Sequence, residues 1–559
     1  MWSLYDPDRV QVGGEIRRRM DITANKILHK MDIDRIFARH YRNRQEKNPD
    51  LLHGFAGYGM LLDAMVKAAV HGIGGEEMRT FKTERLAELA RTQSEDGAIT
   101  VTAGPPAIWD NHDQAYLLQA YSLDFLHFGC RESLETAIRL GDYLIRTDSK
   151  VTLGSETAFL MLYRASGERR FLDYCIGRFR LEAPFEEFDK VIPVNASLHV
   201  YTALARTQAQ LQYARMTGKA MPKTARQVYS RIFGPYSSIS GTCSGPKGIG
   251  TVWNEADSPH YLSVCGSCGE LWNPTLHGLG KWGETCASAY LLRCTAEMLR
   301  WNGESRFGDL YERVMYNAFF GAQSHDGMLQ RYYSPFNEPG EWWERDTYCC
   351  PNNLRRMMFE LPDTVFYRTP RGTAVNLYTE SVLSDKALKI TQQTGYPESG
   401  QVMIGVENDE SMELKLRIPG WCPQAEIRLD GRSMAAAGGH FFPFHLEAGK
   451  HAIELDFLLK PELIAGFAEQ AGRGAVMCGP LVYALPQDQF QGDISELDNW
   501  VIDNSLPMEK TGSGIQIPFS TPQNSNRIFT HFAVDNRLRT YFAVRYPDRL
   551  KPDPLYKPQ

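Results

Sequence analysis

From about residue 15 to about residue 365 the chain repeats apolar residues at three- and four-residue steps; after that it alternates them with polar ones. In the first stretch, Leu61-Leu62-Asp63-Ala64-Met65-Val66-Lys67-Ala68-Ala69 and Leu134-Glu135-Thr136-Ala137-Ile138-Arg139-Leu140 place apolar side chains on one helical face. Gly-containing breaks separate the segments. Ser166-Gly167-Glu168-Arg169-Arg170-Phe171-Leu172-Asp173 is echoed by Asn302-Gly303-Glu304-Ser305-Arg306-Phe307-Gly308-Asp309, and Thr217-Gly218-Lys219 is a weaker third copy. Each echo reads as a helix, a glycine turn and a new helix, so repeated helix pairs are expected. About 12 helices over this length would close into an (α/α)6 barrel; an irregular helical domain is the alternative.

Beyond residue 365 the period changes to two, as in Met412-Glu413-Leu414-Lys415-Leu416-Arg417-Ile418 and His451-Ala452-Ile453-Glu454-Leu455-Asp456-Phe457. Turn pairs such as Pro419-Gly420 and Asp430-Gly431 separate the runs, which predicts an antiparallel β-sandwich. The expected organisation is an α+β multidomain chain: a barrel over 15–365, a sandwich over 366–490, and a C-terminal segment over 491–559 of late strands or irregular structure.

Composition narrows the partners. A chain of 559 residues exceeds one hydrophobic core. Its net charge of -6, with no long basic run, argues against nucleic acid and against an anionic membrane surface. No apolar run approaches membrane-spanning length. The N-terminus, Met1-Trp2-Ser3-Leu4-Tyr5-Asp6-Pro7-Asp8-Arg9, lacks the basic and apolar regions of a signal peptide. Eleven Cys is not the pattern of a small disulfide scaffold, so reduced thiols and a cytoplasmic location are expected. Twenty-six Tyr and ten Trp suit sugar-stacking surfaces, and core packing accounts for them equally well.

Candidate chemistry centres on Cys349-Cys350, because adjacent cysteines cannot easily bridge each other and are better suited to a soft metal. Glu284-Thr285-Cys286 adds a carboxylate and a thiol, giving four candidate ligands: Glu284, Cys286, Cys349 and Cys350. A thiolate that can leave the metal is also a nucleophile. A closed structural metal site and simple packed thiols are the other readings. Cys265 and Cys268 form a C-x-x-C that could bind zinc or act in redox chemistry. Glu270, beside Gly269 and near Trp272, would suit general-acid work if the ring desolvates it; a solvated Glu is the plainer reading.

Taken together, Gly269-Glu270-Leu271-Trp272, Glu284-Thr285-Cys286-Ala287-Ser288 and Tyr348-Cys349-Cys350-Pro351-x-Asn353 resemble the signature of glycoside hydrolase family 127, the β-L-arabinofuranosidases. Tyr311-Glu312-Arg313-Val314-Met315-Tyr316-Asn317, Leu416-Arg417-Ile418-Pro419-Gly420-Trp421 and Gly479-Pro480-Leu481-Val482-Tyr483 extend the likeness over roughly residues 50 to 485. The resemblance implies an (α/α)6 barrel followed by β-sandwich material, and Zn2+ held by Glu284, Cys286, Cys349 and Cys350. It implies Cys349 as nucleophile, Glu270 as general acid/base, and His199, Glu312 and Tyr332 as sugar contacts. The activity it implies is a retaining exo-glycosidase releasing a terminal L-sugar, foremost β-L-arabinofuranose, from plant-derived oligosaccharides. A non-catalytic carbohydrate-binding protein with a structural zinc, and a lyase or epimerase on the same barrel, are the rivals. Two pocket histidines of the family have no match near Tyr116 and Gly154-Ser155, where His112 is the nearest substitute. A homodimer through the β-domain is a candidate assembly.

Overall fold

The computed structural model describes residues 1–44, 57–103, 108–147, 154–182, 200–226, 283–337, 339–466, 470–520 and 525–556. After a short N-terminal helix, α1 (Gly14–Asn25), helices alternate between two roles. The inner ones are α2 (Tyr58–Val70), α4 (Ile108–Phe128), α6 (Ser155–Ser166), α8 (Val200–Met216), α9 (Thr285–Asn302) and α11 (Cys349–Met358). Each packs on the next in that order, and α11 packs back on α2, so the six form a closed ring. Helices α3 (Gly75–Ala90), α5 (Arg131–Thr147), α7 (Arg169–Arg178) and α10 (Ser305–Val314) each lie against the inner helix before them.

Burial separates the two roles. Helix α2 buries eleven of its thirteen residues, whereas α3 buries four of sixteen. The echoed sequence motif marks the step from inner to outer helix. Gly167 ends α6 at φ 72° and Gly303 ends α9 at φ 68°, a left-handed C-terminal conformation that glycine adopts without a Cβ penalty. The next residue but one starts the outer helix in both cases, at Arg169 and Ser305.

From Phe366 the chain is β-rich. A five-stranded sheet runs in the order Ser3–Leu4, Phe366–Thr369, Gly372–Val375, Met412–Ile418, His440–Leu446. A seven-stranded antiparallel sheet runs Arg432–Ala437, Gln424–Leu429, Gly449–Asp456, Gln401–Asn408, Leu388–Thr394, Ser381–Asp385, Val10–Val12. Apolar residues at alternate positions explain the pairing: Val402, Ile404 and Val406 join the same core as Leu414, Leu416 and Ile418 of the other sheet. Neither sheet closes on itself.

Two features depart from the sequence expectation. The sheets are not purely antiparallel, since Gly372–Val375 pairs parallel with Met412–Ile418 and Val501–Ile502 with Tyr541–Val544. The division expected near residue 490 is not a structural one. Strands on both sides of it, from Pro461–Ala465 to Tyr541–Val544, share a third, nine-stranded sheet. No helix among the described residues is long and apolar enough to cross a membrane.

The helical and β-rich parts meet at a buried ion cluster. Arg417, fully buried on strand Met412–Ile418, donates to Asp309 at 2.6 Å and to Glu312 at 3.0 Å, both on α10. Removing one partner of a buried pair strands the other charge. Arg417→Leu should therefore destabilise the protein by about 3–5 kcal/mol. The check is a lowered urea midpoint followed by the fluorescence of Trp421, which lies beside Glu312; an unchanged midpoint would mean the seam is held by apolar packing alone.

Candidate metal centre

The first turns of two inner helices supply all four predicted ligands. Glu284 is the N-cap of α9, with Cys286 two residues into the chain beyond it; Cys349 and Cys350 are the first two residues of α11. Their ligand atoms lie within 4.8 Å of one another, and all four residues are buried. Cys350 Sγ is 3.2 Å from Cys286 Sγ and 3.6 Å from Glu284 Oε1. Three thiols and one carboxylate are a zinc-type donor set, and sulfurs around a tetrahedral zinc stand about 3.8 Å apart. The cluster is already close to that size, so the residues fit one such ion.

Each ligand has a visible positioning device. Thr285 N donates to Tyr332 O at 2.9 Å, its hydroxyl donates to Arg331 O at 2.6 Å, and Ser334 N donates to Gly283 O at 2.8 Å. These bonds stitch the start of α9 to the segment carrying Tyr332. The Tyr332 ring packs on Trp343 and Tyr333, and its hydroxyl stands 3.6 Å from Cys349 Sγ. Tyr348, just before the cysteine pair, holds φ 82°. For a bulky residue this is a strained conformation costing on the order of 1–3 kcal/mol, of the kind that gathers at functional sites. Asn352 Nδ2 bonds Tyr348 O and Asp346 O, both at 2.9 Å, and holds that turn in place.

Asn353 was legible only as the last letter of a motif, yet it has a specific task. Its Nδ2 donates to Cys286 Sγ at 3.2 Å, while its Oδ1 accepts from Arg356 at 3.0 Å and Arg293 at 3.5 Å. Arg356 is paired with Asp63, and Arg293 with Glu360 at 2.8 Å. Lys67 bonds both of those acids, at 2.7 and 2.6 Å. Burial alone would raise the Glu360 carboxyl, but Arg293 and Lys67 outweigh it and hold it well below the usual range. Three cations against two carboxylates leave this layer with one positive charge facing the cluster.

Without a cation, burial pushes the Cys286 and Cys350 thiols well above the ordinary thiol range; the neighbouring sulfurs add to this at Cys350, while at Cys286 the contact with Cys349 raises it and the one with Cys350 lowers it. A bound divalent ion reverses that logic and deprotonates a coordinating thiol.

The structure thus brings together Glu284, Cys286, Cys349, Cys350 and Tyr332. It does not bring Glu312 to them. That side chain, expected to contact sugar, is fully buried in the seam with the β-rich part, where it accepts from Tyr396 at 2.6 Å and from Arg417. His112 is buried edge-on to Tyr116. His199, Glu270, Cys265 and Cys268 lie outside the described residues.

Two family models match the chain. The catalytic-domain model of the GH127 β-L-arabinofuranosidases covers residues 58–363 and the middle-domain model covers residues 372–457. A non-reducing end β-L-arabinofuranosidase of Bifidobacterium longum subsp. longum is 25% identical over 243 residues, 38% of this chain and 37% of that protein. The chain thus aligns with little more than a third of that relative's length. A solved GH127 β-arabinofuranosidase superposes with a TM-score of 0.77 at 16% identity, over 99% of each chain. A GH127 β-L-arabinofuranosidase from Geobacillus stearothermophilus T6 gives 0.74 at 18%, over 96% of this chain and 100% of that one. At these identities the structural likeness is one of fold.

Residues that orient metal ligands commonly change affinity about 10–100-fold when replaced. Asn353→Leu should weaken zinc binding by that factor, measured by competition with a chromophoric chelator. Wild-type affinity in this variant would show that the Asn353–Cys286 contact does not tune the centre.

Proposed function

Since the chain belongs to glycoside hydrolase family 127, we propose that it is a retaining exo-glycosidase releasing a terminal L-sugar, foremost β-L-arabinofuranose, from plant-derived oligosaccharides. The observation that carries this reading is the buried Glu284, Cys286, Cys349, Cys350 cluster with the Tyr332 hydroxyl against Cys349. The ring of six helices is read as the inner wall of an (α/α)6 barrel, with the substrate entering at the end where α9 and α11 begin.

A zinc ion held by these four residues would keep the thiols ionised at neutral pH and fix their positions. Cys349 is then the nucleophile. Its Sγ attacks the anomeric carbon as the bond to the leaving oxygen breaks, and Glu270 gives that oxygen its proton. Water then attacks the same carbon, Glu270 takes a proton from it, and the carbon–sulfur bond breaks to free the sugar. Two inversions return the original anomeric configuration. Tyr332 and His199 are assigned to the sugar, with Trp343 as an aromatic wall beside Tyr332. A centre of three thiolates needs reduced sulfur, which fits a cytoplasmic location.

The near-complete burial of all four ligands also suits a structural zinc in a non-catalytic carbohydrate-binding protein, and one experiment separates the two. Cys349→Ser should lower turnover of β-L-arabinofuranosides by at least about a thousandfold while the far-ultraviolet circular dichroism is retained, as expected for loss of a covalent nucleophile. Rapidly quenched wild-type enzyme should carry a pentose on Cys349 by peptide mass spectrometry. A folded Cys349→Ser variant with wild-type turnover would rule the mechanism out.

A further inference from the structure

All six inner helices carry a basic side chain in the last turn, and all six line one cavity: Lys67, His127, Arg164, Arg215, Arg300 and Arg356. This cavity of about 270 Å³ lies where the inner helices finish, at the opposite end of the ring from the cysteine cluster. Leu4, Tyr5 and Pro7 of the N-terminal segment cover part of it. The layer containing Tyr290, Arg293 and Arg356 forms its floor and separates it from Asn353 and Cys286.

The charges in this cavity do not balance. Lys67, Arg293 and Arg356 share Asp63 and Glu360. Arg215 and Arg300 share a single carboxylate, Glu297, at 3.3 and 3.4 Å. Arg164 makes no ion pair among the described residues; burial and the positive charges of Arg215 and Arg300 disfavour its charge, and Glu297 opposes them only in part. Among the described residues these three guanidinium groups pair with one carboxylate, an excess of two positive charges, while the remaining carboxylate of the lining, Asp363, lies 3.3 Å from His71. Buried Nε atoms of Arg215 and Arg300 also lack a hydrogen-bond partner among the described residues, and Arg300 is only 8% exposed. A buried donor without an acceptor is costly, and a guanidinium edge matches an oxyanion in a bidentate manner.

We propose that Arg164, Arg215 and Arg300 form a binding site for a small oxyanion, the phosphate or carboxylate group of a soluble ligand, distinct from the sugar-hydrolysing end. The competing account is that these basic residues only balance the negative ends of the inner helices. That account predicts no saturable response to anions.

The test is thermal unfolding of the reduced, zinc-loaded full chain, titrated with inorganic phosphate and separately with galacturonate, against sodium chloride at equal ionic strength. The expected result is a saturable rise in Tm with at least one of the two, since a ligand that binds only the folded state raises stability by mass action. A response to phosphate alone assigns a phosphate ligand, and a response to galacturonate alone an acidic sugar. Arg164→Met, and independently Arg164→Lys, should weaken the effect at least tenfold and leave zinc content and glycosidase turnover at wild-type levels. A rise no larger than with chloride, or one that both variants retain in full, overturns the proposal.

Discussion

Three thiols and a carboxylate whose ligand atoms all lie within 4.8 Å would repel one another strongly as anions in a buried place, unless positive charge faces them. Two features of the surroundings supply that charge. The ligands sit in the first turns of α9 and α11, and each helix start presents about half a positive elementary charge together with unsatisfied N–H groups. Behind them the layer of Arg293, Arg356 and Lys67 exceeds Asp63 and Glu360 by one charge. A divalent ion completes the balance. The closed ring matters to this chemistry because it is what brings two helix starts, 64 residues apart in the chain, to one point.

The same ring has two ends of opposite electrical character. Helix starts gather around the cysteines, and helix ends, each with a basic residue, gather around the far cavity. One layer of arginines, tyrosines and acids closes both. Tyr116 and Tyr290 share a 2.5 Å hydrogen bond across it, with Arg356 over the Tyr116 ring at 4.6 Å and Arg293 over the Tyr290 ring at 4.8 Å. Buried hydrogen-bonded networks rigidify what they support, and here the layer supports Asn353 and through it Cys286.

Local pattern carried the helices, the change to strands and the four ligands, since each is written in a short stretch of sequence. Cys349-Cys350 and Glu284-x-Cys286 could be singled out because thiols at close spacing have few other uses. What local pattern could not show was partnership over distance. Nothing around Glu312 indicates that its carboxylate belongs to Arg417, 105 residues later. Ser3–Leu4 and Val10–Val12 are too short to display a period, yet they pair with strands beginning at Phe366 and Ser381. The basic ring of the far cavity was equally hidden, because its members are spread from residue 67 to residue 356.

The central claim is that α9 and α11 together hold one metal ion through three sulfurs and one carboxylate oxygen, with Cys349 among the sulfurs. Zinc K-edge X-ray absorption of the purified, reduced protein tests it most directly. The account predicts one zinc per chain with three Zn–S distances at about 2.3 Å and one Zn–O distance at about 2.0–2.2 Å, and one sulfur fewer in Cys349→Ser. A protein that binds no stoichiometric zinc, or a spectrum that Cys349→Ser leaves unchanged, would contradict it.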